Sequence, residues 1–153
     1  MSGKGKKGQP KNPIQGVNVR ADKRPRRAAA GNPHADDPTV IYGFSFVDLE
    51  GPWGWGKILP TELPRVLEFL RNIERLRQHE AFGGSKNKRI ELSALCADAK
   101  KRLRQIELDD LDCLWELRVG GAERIWGQRF GHVFYPVWWD PRHEVCPSRK
   151  KHT

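Results

Sequence analysis

Between Cys113 and Asp140 apolar and polar side chains alternate in three runs, separated by Gly120-Gly121 and Gly131-His132. This feature constrains the fold more than any other in the chain. A side-chain period of two is that of a β-strand, and turns of two residues rich in glycine join antiparallel neighbours directly. Cys113–Val119, Glu123–Phe130 and Val133–Asp140 therefore read as a three-stranded meander. In the first strand Cys113, Trp115, Leu117 and Val119 share one side, and Leu114, Glu116 and Arg118 share the other. Pro136 has no N–H to give to a neighbour, so it marks an edge or a bulge. Asp140-Pro141-Arg142-His143 turns out of the sheet, and a brief pairing is expected between Glu144 and Pro147.

Upstream of the meander, the run Val40–Val47 is β-branched and aromatic and reads as a strand. Glu50-Gly51-Pro52-Trp53-Gly54-Trp55-Gly56 breaks the pattern and reads as a loop. Its two tryptophans suit either stacking on a base or covering the core, and the cover is the preferred reading. Leu63, Val66, Leu67, Leu70, Ile73 and Leu76 recur at helical spacing, with Thr61 as the expected cap and Phe82-Gly83-Gly84 as the end. A second helix is expected from near Ser93, with Leu92, Leu95, Cys96, Ala99, Leu103 and Ile106 on its apolar face and Lys100, Lys101, Arg102 and Arg104 mostly outward. The expected architecture is α+β: two helices on one face of a mainly antiparallel four-stranded sheet, in the order strand, helix, helix, strand, strand, strand.

Charge divides the chain. Residues 1–34 carry nine Lys and Arg against one acid, whereas nineteen basic residues face eighteen acids from Ala35 onward. The basic stretch is also interrupted by Pro10, Pro13, Pro25 and Pro33 and holds little apolar surface to offset chain entropy. Residues 1–38 thus read as a disordered basic tail, 39–148 as the folded domain and 149–153 as a short basic C-terminal tail. Lys23, Arg24, Arg26 and Arg27 form the densest cluster. It suits sequence-blind phosphate binding, and equally a solubilising role. Because the body is almost neutral, the overall charge says nothing about what the body itself binds.

Three cysteines, an odd number with no C-x-x-C pair, fit a reducing compartment rather than a disulfide framework. No apolar run approaches the ~20 residues needed to span a membrane, and no apolar segment follows the basic start as a secretory signal would require. A cytoplasmic protein with no membrane partner is expected. The cysteines and histidines lack zinc-ligand spacing, and no phosphate-cradling glycine loop is present, so neither a metal nor a cofactor is expected.

The element order, together with local text, resembles the RelE/ParE/HigB-like toxins of bacterial toxin–antitoxin pairs. Leu114-Trp115-Glu116-Leu117-Arg118-Val119-Gly120 is similar to that family's hydrophobic–Arg–hydrophobic strand ending in Gly, and Arg124-Ile125 to the Arg that opens its next strand. His143-Glu144-Val145 falls where family members often place catalytic or substrate-binding groups. The resemblance covers about Tyr42 to Pro147. The stretch from Arg124 to His143 also resembles a group of uncharacterised bacterial proteins. One departure is clear: Cys146 or Pro147 stands where many ribosome-dependent members carry a Tyr.

The resemblance implies an endoribonuclease or translation inhibitor acting on RNA or the ribosome and held by an antitoxin protein. Cleavage by attack of a 2′-hydroxyl on the adjacent phosphate needs a base, an acid and cations. His143 is the candidate acid or base, with Glu116 as an alternative base, and Arg118, Arg124 and Arg129 are candidate phosphate ligands. Each has a plainer reading: Glu116 and Arg118 as outward residues paired across the sheet, Arg124 stacked on Trp126, His143 capping its turn. Of Trp138 and Trp139, one is expected to face out, where it would stack a base or meet a partner; Trp138 is the candidate, with Lys100 and Lys101 as further nucleic-acid contacts. A non-catalytic nucleic-acid- or ribosome-associated protein, and a protein-interaction module on the same fold, are the competing functions.

Overall fold

The computed structural model describes residues 36–148. The expected tail cluster Lys23, Arg24, Arg26 and Arg27 lies outside the described residues, as does the expected C-terminal tail. Order reaches back beyond Thr39: the Pro38 carbonyl accepts the Gln78 N–H at 2.9 Å, and Asp37 contacts His79.

The three strands of the meander are β3 (Cys113–Gly120), β4 (Glu123–Phe130) and β5 (Val133–Asp140). They sit at the centre of a five-stranded sheet ordered β1-β5-β4-β3-β2, with β1 (Ile41–Tyr42) parallel to β5 and every other pair antiparallel. Gly121 and Gly131 turn the two hairpins at positive φ, which glycine adopts at no steric cost. Pro136 marks a bulge. The β4–β5 register passes from Trp126↔Trp138 to Gly127↔Pro136, so Val137 is the extra residue.

Two strand expectations are corrected. The run Val40–Val47 forms only a two-residue strand. Gly43 N–H bonds to Phe134, the chain then turns through a Val47 N–H to Phe44 carbonyl bond, and Asp48 N–H rejoins β5 at Val137. Pro136 has no N–H with which to continue a ladder between those points, and the excursion leaves Phe44 exposed. The second correction is an added strand, β2 (Lys88–Glu91), along the free edge of β3. Its sequence, Lys-Arg-Ile-Glu, has no apolar alternation because an edge strand with mostly exposed side chains needs none.

The helices are α1 (Leu63–Glu74), α2 (Gln78–Phe82) and α3 (Ala97–Gln105). Glu62 rather than Thr61 occupies the cap position of α1; Pro64 lies in the first turn, where its missing N–H costs nothing. The expected long first helix stops at Glu74. The chain re-enters helix at Gln78, where the Glu80 carboxylate accepts the Arg77 N–H at 2.9 Å. Cys96 caps α3, its sulfur accepting the Ala99 N–H at 3.4 Å.

The two long helices do not share a face. Val66, Ile73, Ala81 and Phe82 of α1 and α2 pack on Leu117, Ile125, Phe134 and Trp139. Leu95, Ala99 and Leu103, at and within α3, pack on Leu114, Trp126, Val137 and Trp138, the opposite side of the same strands. Leu117 pairs with Ile125 while Glu116 pairs with Trp126, which places the two clusters on alternate faces. The expectation of one helical layer fails because both faces of β3–β5 are apolar over their middle, and each needs a cover. No helix among the described residues is long and apolar enough to cross a membrane.

Candidate functional site

On the α3 face of the sheet two rows of residues lie side by side. Lys88, Glu116, Trp126 and Trp138 are cross-strand neighbours from β2 to β5, and Arg118, Arg124 and Asp140 form the next row. The apolar members of the first row lie under α3. The polar members are left to one another and to the turn that follows β5.

Glu116 and Arg124 are both buried, and Arg124 Nε donates to Glu116 Oε1 at 2.6 Å. Arg124 Nη1 donates to the carbonyls of Gly121 and Glu123 at 2.7 and 3.0 Å. His143 Nε2 stands 3.7 Å from the same Glu116 oxygen, with its side chain 18% exposed. His143 has φ of +58°, a left-handed conformation that few residues with a side chain adopt without surrounding support. The support is Asp140. Fully buried, it accepts the indole N–H of Trp126 at 3.1 Å and the backbone N–H groups of Glu144 and Val145 at 2.9 and 3.0 Å. A buried carboxylate at the end of β5 therefore fixes the turn that carries the imidazole to Glu116. The Cys146 thiol completes the group: burial first, then the nearby charges of Glu116 and Cys96, raise its pKa.

The structure thus brings Glu116, Arg124 and His143 together, with exposed Arg118 and Lys88 on the same face. Their roles divide. Arg124 turns Nε to Glu116 and Nη1 to backbone carbonyls, and so holds the carboxylate. Its side-chain partner is Glu116 rather than Trp126. Glu116 pairs with Arg124, not with Arg118. Arg118 and Lys88 are the cations open to solvent.

The other expected residues lie elsewhere. Arg129 is on the opposite face, its guanidinium 4.5 Å over the Phe82 ring and 5.2 Å over that of Trp115. It bonds to the Gly131 carbonyl and the Gln78 amide, and burial lowers its pKa below the usual arginine value. Trp138, expected to offer a free ring, is fully buried, and Trp139 is 3% exposed. Neither presents a face to a base, because α3 and the Trp53 loop cover the side that a one-layer sheet would leave open. Trp53 packs at 5.2 Å on Trp138, as core cover. Lys100 is half-buried and Lys101 exposed on α3, and neither forms an ion pair among the described residues. Arg102, expected to point outward with them, instead makes two 2.8 Å bonds to Asp48.

Asp48 and Asp140 were not legible as site residues. Asp48 also accepts the Trp138 indole N–H at 2.9 Å and so ties the loop after β1 to α3 and to the sheet. The local signal existed: each aspartate is followed by backbone N–H groups that it accepts, at Glu50 for Asp48 and at Glu144 for Asp140. Among the described residues, no three His, Cys, Asp or Glu side chains converge as a metal-binding set.

No protein-family model, curated protein or solved structure matches the chain significantly.

Proposed function

We propose that the protein acts on RNA as a RelE-like endoribonuclease toxin, with His143 and Glu116 at the reacting phosphodiester and Arg118 and Lys88 holding the phosphate charge. The observation that carries this reading is the convergence of an imidazole on a buried carboxylate beside two solvent-exposed cations of one sheet face. His143 Nε2, 3.7 Å from that carboxylate, is the group placed to take and return a proton. In the proposed reaction that proton comes from the 2′-hydroxyl as its oxygen attacks the adjacent phosphorus. It is then given to the departing 5′-oxygen. The products are a 2′,3′-cyclic phosphate and a 5′-hydroxyl end. Arg124 acts as a positioning residue through Glu116. An antitoxin protein is the partner this reading expects, and a cytoplasmic setting suits it.

A second reading is favoured by Arg124 itself. With its Nε and Nη1 donors held internally and Glu116 committed to it, the group also suits a rigid mount for Arg118 and Lys88 on a protein that binds RNA or the ribosome without cutting. One experiment separates the two. The intact protein and His143→Ala are induced in a bacterial host, and growth and the ends of cleaved messenger RNA are followed. Cleavage with cyclic-phosphate ends, reduced at least ~100-fold in His143→Ala, is expected for the enzyme. Growth arrest without new RNA ends, unaffected by His143→Ala and relieved by Arg118→Ala with Lys88→Ala, is expected for the binder. Neither arrest nor cleavage from the folded protein overturns both.

A further inference from the structure

At the opposite end of the α3 face from Glu116 lies a groove of about 480 Å³ whose lining is half apolar, from Phe46, Val47 and Leu49 of the loop after β1 and Ile106 and Leu108 at the end of α3. It runs into a wider apolar surface. Phe46, Phe130 and Tyr135 pack ring against ring there, and Leu49 in the wall is about two-thirds exposed. A contiguous apolar patch of this kind marks a contact surface.

The rim is acidic. Glu50 and Glu107 line the groove, and Asp109, Asp110 and Asp112 follow in the chain; all five are exposed. None of them forms an ion pair among the described residues. The one cation lining the groove, Arg102, is committed to Asp48. Two of these acids, Glu50 and Glu107, lie on the groove itself, where they favour an added cation.

We propose that the groove is the docking site for this chain's own residues 14–20, Ile-Gln-Gly-Val-Asn-Val-Arg. Ile14, Val17 and Val19 are the large apolar residues of the first 35 after Met1, and in an extended chain Val17 and Val19 share a face. Lys11, Arg20 and Lys23 flank them, matching the acidic rim. The sixteen steps from Arg20 to Asp36 span up to about 50 Å when extended. A second copy seated by two-fold symmetry would set the unpaired acids of one groove against those of the other, which disfavours it. This inference does not depend on RNA being the substrate.

Hydrogen exchange on the full chain tests it. The wild type is compared with Val17→Asp/Val19→Asp and with Glu107→Lys/Asp109→Lys/Asp110→Lys, each at two concentrations about twentyfold apart. Amide protection over residues 46–50 and 105–108 is expected to fall at least about fivefold in both variants, at either concentration, while the β3–β4 amides stay unchanged. A benzophenone amino acid at position 17 is expected to crosslink to Leu49 or Ile106 within a product of monomer mass. Unchanged protection in the valine variant overturns the proposal. So does protection that rises with concentration, or a crosslink found in dimers alone, either of which assigns the groove to a second copy.

Discussion

Arg124 Nε and Glu116 Oε1 meet at 2.6 Å across two strands, with both side chains close to nine-tenths buried. The pair is the hinge of the candidate site, since the same carboxylate oxygen faces His143. Breaking it from one side leaves a buried charge without a partner, which costs far more than removing the pair together. Arg124→Met is therefore expected to lower unfolding stability by about 3 kcal/mol in urea titrations. Adding Glu116→Gln to it should cost less than the two single losses combined. Additive losses would show that the two side chains do not depend on each other.

Asp140 makes a separate prediction, because it holds the turn rather than the chemistry. Asp140→Ala strands three donors: the Trp126 indole and the N–H groups of Glu144 and Val145. Stranded buried donors cost on the order of 1–3 kcal/mol each, reduced where water reaches them. A loss of roughly 3 kcal/mol is expected. The local signature is faster hydrogen exchange at Glu144 and Val145 while the β3–β4 amides remain protected. Unaltered exchange at those two amides would remove Asp140 as the support of His143.

The Asp48–Arg102 pair predicts a response to pH. Burial by itself would raise the Asp48 pKa. The hydrogen bonds from Arg102 and Trp138 and the charge of Arg102 outweigh it, and the carboxyl is held below its ordinary value. A group whose pKa is depressed by folding stabilises the protein above its unfolded value, about 3.9 for aspartate, and that contribution is lost as pH falls through the folded value. Stability is thus expected to drop below about pH 4, with a shallower drop in Asp48→Asn. Thermal unfolding between pH 2 and 6 reads the difference; parallel curves for the two proteins would contradict the assignment.

How much of this was readable beforehand differs from element to element. The meander was legible to within a residue, because Gly120-Gly121 and Gly131 punctuate it and its strands alternate. β2 was not, because an exposed edge strand carries no apolar signature, and neither was the early end of β1 beside Pro136. Parity put Glu116 with Arg118, but Glu116, Arg124 and His143 were named together only through the resemblance, because no local pattern links two strands to a later turn. Trp138 could not be placed, because which of two consecutive tryptophans is covered depends on what lies on the far face.

The sequence by itself determined the strands and turns of the meander, the helical character of two apolar-striped segments and the concentration of positive charge before Ala35, all of which depend on neighbours close along the chain. Tertiary structure alone decided that α1 and α3 cover opposite faces, that Arg102 serves Asp48, and that Arg124 meets Glu116. Those outcomes join residues 8 to 54 positions apart. A local pattern shows that a side chain wants burial or a partner, but the packing of the whole chain selects which partner it finds.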